Sequence, residues 1–247
     1  MEIRGVCLVK NEERYLSQVI RNAQALCNTG VVLDNQSTDR TPEIARESGW
    51  EYRECPDIRR SHEHVQDLAG KPVWIFGVDG DEVYSPSGLS ELRPRLLQGE
   101  FEDYWMVRGR MVHVTRLRET GSRVFAEGYC GPPSPSVVNL YNFGALVRWR
   151  APDGDALFFG RDQVFKPGYS DTRRYLFYDQ GARWEEDPLR CLHLRFIRRS
   201  SVEPVEGARP NPWDTRRGIR ENRRDVYRQG PLVTVDATEF FPQGLPE

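Results

Sequence analysis

Trp74-Ile75-Phe76-Gly77-Val78-Asp79-Gly80-Asp81-Glu82 is an uncharged, largely apolar run that ends abruptly in acid. Its length and apolar character predict a strand buried on both faces, starting near Pro72 and stopped by an Asp-Gly turn. Two carboxylates one residue apart on such a turn suit a hard divalent cation. Gly80 between them permits a tight turn and close approach of a ligand. The tripeptide alone would serve equally well as a turn that merely ends a strand. Its place directly after a buried strand favours the site.

Working outward, the same grammar repeats. Glu2 to Val9, with Ile3, Val6, Leu8 and Val9, reads as one buried strand, and Gly30-Val31-Val32-Leu33-Asp34 as another. Between them Leu16, Val19, Ile20, Ala23 and Leu26 recur at helical spacing, with Asn11 expected to cap the helix and Glu12 and Glu13 in its first turn. Thr41-Pro42-Glu43 opens a second helix that Gly49 closes. Glu51 to Arg53 forms a short strand, and Ser85-Pro86 starts a third helix reaching about Gln98. Alternating strands and helices predict an α/β fold with a mostly parallel central sheet flanked by helices. Ligands in such sheets sit beyond the carboxyl ends of the strands. The clusters Lys10-Asn11-Glu12, Asp34-Asn35 and Asp79 to Glu82 all fall at such ends and are expected to converge on one rim.

The signal thins after residue 100. Tyr104 to Leu117 reads as two strands around Gly109, and Arg190 to Ile197 as an alternating strand. Pro204 to Pro212 is a linker, Asp214 to Arg228 a basic helix, and residues 231–247 are expected to be irregular. The implied organisation is a unit over 1–200, made of two halves, 1–100 and 101–200, followed by a C-terminal extension over 201–247.

The chain has 247 residues, 29% of them charged, and a formal net charge of −2. That composition is globular, and nothing global draws it to nucleic acid. Locally, 11 Arg stand against 5 acids between Arg190 and Arg228. Arg216, Arg217, Arg220, Arg223 and Arg224 read as a solvated helix, or as a face for an anionic acceptor or acidic membrane surface. Cys7, Cys27, Cys55, Cys130 and Cys191 form no CxxC pair and are expected to be reduced thiols of a cytoplasmic protein. No run approaches the ~18 apolar residues of a membrane span, so any membrane contact is expected to be peripheral, at the inner face.

Two further residues carry chemistry. Asp34, at a strand end, can accept a hydrogen bond from a nucleobase or ribose hydroxyl, whereas Asn35 to Asp39 suit turn hydrogen bonds to their own backbone. His193, in Leu192-His193-Leu194, can complete a metal site that lacks a third ligand, or can be an ordinary core histidine.

The order and spacing of Val9-Lys10-Asn11-Glu12-Glu13, of Val31-Val32-Leu33-Asp34-Asn35-Gln36-Ser37-Thr38-Asp39-Arg40-Thr41, and of Ile75 to Glu82 resemble a family 2 glycosyltransferase of GT-A fold over residues 2 to 100. The resemblance implies transfer of a sugar from a nucleotide-diphosphate donor to an acceptor hydroxyl, with inversion, aided by Mn²⁺ or Mg²⁺. It implies that Val9, Lys10, Asn11, Glu12, Asp34, Asp79 and Gly80 line the donor pocket, and that Asp79, Asp81 and His193 hold the metal. Arg59 or Arg60 is implied near the donor. The resemblance also implies that the first half, 1–100, binds the nucleotide and the second, 101–200, the acceptor. The general base is expected at Asp155, with Asp187 second. The donor is expected to be a UDP-, GDP- or dTDP-sugar, and the acceptor a hydroxyl compound, anionic or lipid-linked. Trp149, Trp184, Tyr129 and Trp213 would stack on sugars or fill the core. The competing readings are a sugar nucleotidyltransferase, which usually carries a Gly-rich loop where this chain has Lys10 to Glu13, and a noncatalytic carbohydrate- or partner-binding module on the same fold.

Overall fold

A computed structural model describes residues 1–131, 140–149, 163–181, 183–202, 227–228 and 230–246. Strand β1 (Glu2–Val9) leads to α1 (Leu16–Ala23), β2 (Thr29–Asp34), α2 (Thr41–Glu47), β3 (Glu51–Glu54) and β4 (Val73–Asp79). The four strands pair in parallel in the order β3-β2-β1-β4. The apolar runs of β1, β2 and β4 do not alternate because both faces are covered, whereas β3, at the sheet edge, is charged and largely exposed. In β1, Ile3, Cys7 and Val9 enter one hydrophobic cluster with α1. Val6 and Leu8 enter a second cluster on the opposite face with Trp105, Tyr141 and Trp149.

The register places the carboxyl ends side by side. Val9 lies opposite Asp34, and Leu8 opposite Asp79. The sequence-predicted helix cap does not form: α1 starts only at Leu16, and Asn11 takes a left-handed φ of 55°. Asn tolerates that conformation, and its side chain accepts instead from Thr38 N at 2.7 Å.

Beyond β4 the chain continues through β5 (Glu82–Tyr84), α3 (Pro86–Leu97), β6 (Met106–Arg108), β7 (Met111–Thr120), β8 (Arg123–Gly131) and β9 (Leu140–Asn142). β10 (Leu146–Arg148), β11 (Val164–Phe165), β12 (Arg174–Leu176), β13 (Cys191–His193) and β14 (Leu232–Asp236) complete it. β9, β6 and β12 extend the first sheet to seven strands, of which only β9 runs against the rest. A second sheet of five strands, in the order β14-β8-β7-β13-β5, is mostly antiparallel and was not legible in the sequence. The expected pair around Gly109 is split: β6 joins the first sheet, while β7 pairs with β8 and β13 in the second.

The tail expected to be irregular is structured. β14 pairs with β8, and Phe240 and Phe241 are buried. Asn22 Nδ2 of α1 donates to the Phe240 carbonyl at 3.2 Å. The linker Pro204 to Pro212, Trp213 and the arginines from Arg216 to Arg224 lie outside the described residues, so those expectations stand as sequence readings.

Candidate active site

The Asp-Gly-Asp segment is the corner where the chain leaves one sheet for the other. β4 ends at Asp79, β5 begins at Glu82, and Gly80 and Asp81 make the crossing. Backbone bonds fix the corner on both sides. Gly80 N donates to Leu8 O at 2.9 Å, and Leu194 N donates to Asp81 O at 2.7 Å. A β-carbon at Gly80 would come within 2.5 Å of Glu12 Cγ and 3.1 Å of Val9 Cγ1. The corner is therefore packed directly on Val9 and Glu12, and a side chain at position 80 would have to displace Glu12.

Charge is concentrated here. Asp81, Glu82, Glu12, His193, His113 and Arg199 are all buried. One terminal nitrogen of Arg199, Nη1, meets Asp81 Oδ2 and also Glu12 Oε1 at 3.0 Å. His193 Nε2 lies 3.5 Å from the same Asp81 oxygen. On the other side of that ring, His193 Nδ1 is 2.8 Å from His113 Nδ1. Tyr227 packs edge-on against both imidazoles, with centroids at 5.0 and 5.6 Å, and Arg195 stacks over the Tyr227 ring.

These contacts set the proton affinities. Burial alone would raise Asp81, but Arg199 first, and then His193, hold it well below the usual carboxylate range. Burial, and next the Asp81 charge, push Asp79 upward. Glu82 is pushed well above its ordinary value by burial and by both aspartates. Its Oε2 accepts from Asp79 N at 3.3 Å and Tyr84 OH at 2.9 Å. Burial and the neighbouring His193 lower His113 to about 3.

The loops after β1 and β2 are clamped together. Asn11 N donates to Ser37 Oγ at 2.8 Å and Glu12 N to Thr41 Oγ1 at 2.7 Å. Lys10 Nζ reaches Asn35 Oδ1 at 3.4 Å. The turn residues thus bond partly across to the neighbouring loop rather than only to their own backbone. Asp34 is buried, with Oδ1 accepting from Ser37 Oγ at 2.5 Å and Oδ2 from Tyr52 OH at 3.0 Å. The segment after β13 is sewn onto the same loops. Arg14 N donates to Arg199 O at 3.0 Å, Ser200 Oγ to Asp39 Oδ2 at 2.5 Å, and Ser201 N to Glu13 Oε1 at 2.6 Å.

The structure thus brings together Val9, Glu12, Gly80, Asp81 and His193, with Asp79 on the same corner and Lys10, Asn11 and Asp34 in the clamped loops beside it. It does not bring the other candidates there. Arg60 is exposed and pairs with Glu63 through two bonds of 2.9 Å, and Arg59 pairs with Asp57. Asp187 is fully buried and accepts from the backbone N–H of Arg110 at 2.6 Å and of Leu189 at 2.9 Å. A carboxylate held this way fixes the bend between β6 and β7. Asp155 lies outside the described residues. Trp149 is core, packed against Trp105, Tyr141 and Phe143, and Trp184 stacks on Phe240. Arg199 and His113 were missed as site residues. Arg199 stands close after His193 in a run of arginines, but nothing in that run distinguishes it. His113 is found only through the β7–β13 register, which places it opposite His193.

No protein-family model matches the sequence, and no curated protein matches it. Among solved structures, glucosyl-3-phosphoglycerate synthase from Mycobacterium tuberculosis, in complex with Mn²⁺, UDP and glucosyl-3-phosphoglycerate, aligns over 44% of this chain and 44% of its own, at 24% identity and a TM-score of 0.33. The same synthase has been solved with Mg²⁺ and UDP. S. aureus TarS (1-349) aligns over 71% of this chain and 59% of its own, at 11% identity and a TM-score of 0.44. The chain thus spans less than two thirds of the length of either protein.

Proposed function

We propose that this chain is a glycosyltransferase that moves a sugar from a nucleotide-diphosphate donor to an acceptor hydroxyl, with inversion. The observation that carries this reading is the meeting of three strand-end clusters at one corner. The loop at Lys10 to Glu12 and the corner at Asp79 to Asp81 are in contact, and Asp34 lies one strand away in register with Val9. A buried carboxylate at the end of β2 suits a ribose or base, and the acidic corner suits the diphosphate end of the same molecule. The loop after β1 is bound through the side chains and backbone of Asn11 and Glu12, not through glycines, which favours a transferase over a sugar nucleotidyltransferase.

The corner fits a divalent ion by its chemistry. Asp79 and Asp81 offer hard oxygen donors and His193 Nε2 an imidazole, a set that accepts Mn²⁺ or Mg²⁺. A cation already stands there in the form of the Arg199 guanidinium. Among the described residues no three His, Cys, Asp or Glu side chains converge on one point. An ion bound there supplies positive charge to the diphosphate leaving group. The chain's own part is to hold Asp81 ionised, to orient His193 through His113, and to keep the corner dry.

The acceptor hydroxyl needs a base near the reacting carbon. With Asp187 consumed by backbone donors, that base is assigned to Asp155. No helix among the described residues is long and apolar enough to cross a membrane. The proposed setting remains the cytoplasm, with an anionic or lipid-linked acceptor reached at the membrane face.

The test is calorimetry of UDP, GDP and dTDP with Mn²⁺, followed by turnover of the matching nucleotide sugars. One nucleoside diphosphate should bind, and Asp81→Ala should weaken it at least tenfold. Asp155→Asn should keep donor binding and lose transfer. Absence of binding by all three, or full binding by Asp81→Ala, removes the assignment.

A further inference from the structure

Arg199 occupies the position that a cation of the corner would take. Its Nη1 lies between Asp81 and Glu12, and its side chain is only 6% exposed. Its backbone is fixed by the bond from Arg14, and the next two residues are fixed on Asp39 and Glu13. The main chain is therefore held independently of what the guanidinium pairs with. The corner thus has its own countercharge, built in and covalently attached.

We propose that Arg199 competes with a divalent ion for Asp81: it neutralises Asp81 and Glu12 when no ion is bound, and turns to the diphosphate when ion and nucleotide bind. This rests on the donor reading above. Two physical arguments and one observation carry it. A divalent ion and a guanidinium on one carboxylate oxygen repel each other, so each weakens the other's hold on Asp81. His193 Nε2 approaches the same Asp81 oxygen, so the oxygen that Arg199 takes is the one a ligand set would use. Arginine matches phosphate oxygens with paired donors, so a diphosphate beside the corner gives the displaced guanidinium a new partner. Glu12, left by Arg199, stays packed on Gly80 beside the corner.

The consequence is thermodynamic coupling. An ion that must displace Arg199 binds weakly alone. A nucleotide that takes up Arg199 removes that penalty, and by linkage the ion strengthens nucleotide binding by the same factor. Arg199 is on this view a donor-binding residue that makes ion and nucleotide arrive together.

The test uses Mn²⁺ alone, read by electron paramagnetic resonance of free ion, on the full chain. Wild type should bind Mn²⁺ at least tenfold more weakly than Arg199→Met, which keeps the stem and loses the charge. Arg199→Lys, retaining a cation, should remain weak. Adding saturating UDP or GDP should tighten Mn²⁺ at least tenfold in wild type and much less in Arg199→Met. Equal or weaker Mn²⁺ binding by Arg199→Met overturns the competition. Tight Mn²⁺ binding by wild type without nucleotide overturns it as well, and needs no variant to fold. If neither nucleotide binds to any form, the donor reading falls and the coupling with it, while the Mn²⁺-only comparison still reports on Arg199 separately.

Discussion

His113 and His193 face each other through their Nδ1 atoms at 2.8 Å, and the far nitrogen of His193 points at Asp81. Two ring nitrogens at that separation share one proton. With His113 held neutral by burial, a cation on His193 Nε2 requires the shared proton to sit on His193 Nδ1, with His113 accepting. His113 then acts as the partner that orients a ligand and fixes its tautomer.

His113→Phe keeps an aromatic ring against Tyr227 but removes the acceptor. We expect Mn²⁺-supported nucleoside-diphosphate affinity to fall about 10- to 100-fold. Calorimetry with and without Mn²⁺ checks this; a loss of equal size in both conditions would mean the histidine only packs.

Gly80→Ala places a methyl group against Glu12 and Val9. Overpacking of this kind is expected to destabilise by about 1–3 kcal/mol, measured by urea unfolding. Because the clash lies between the corner and the donor loop, nucleotide affinity should fall about tenfold or more. Alanine tolerated in both assays would show that the two loops separate freely.

Asp187 gives a pH dependence. Burial, against the two backbone donors, pushes its carboxyl up to about 6. The folded state then holds a proton that the unfolded chain releases near pH 4. The stability contributed by the protonated form is present below pH 4 and is lost as pH rises to about 6, by at most about 3 kcal/mol. Asp187→Asn cannot titrate. The stability difference between wild type and this variant, from urea midpoints at pH 4, 5, 6 and 7, should shift against wild type across that range. A constant difference would place the Asp187 proton elsewhere.

Phe240→Ala tests the tail. Phe240 is fully buried and stacks on Trp184 at 6.3 Å. Its truncation should cost about 3–5 kcal/mol in chemical unfolding. A change under 1 kcal/mol would mean that β14 and the residues after it dock only loosely.

What was readable in the sequence follows from burial geometry. β1, β2 and β4 are covered on both faces, so Val6 to Val9, Val31 to Leu33 and Val73 to Val78 appear as runs without a charged residue, the last two ending in Asp34 and Asp79. The second sheet leaves no such mark. β5 and β13 are three residues each, and β7 loses its buried pattern after Val114 as it runs out into solvent. The surroundings of Asp187 were not legible because burial and backbone donors cannot be seen in Trp184 to Asp187 as text. Arg199 lies 118 residues from Asp81 and 187 from Glu12, and no local pattern encodes a contact of that span. Asn11 has the composition of a cap, but its left-handed backbone hands its side chain to the neighbouring loop.

The passage of one strand out of its sheet and into the next, through Gly80 and Asp81, has a mechanical meaning. Two layers joined by a two-residue hinge in their interior cannot slide without dragging that hinge. Whatever seats or loosens the smaller layer, including the docking of the chain's far end through β14, therefore bears on the placement of Gly80 and Asp81.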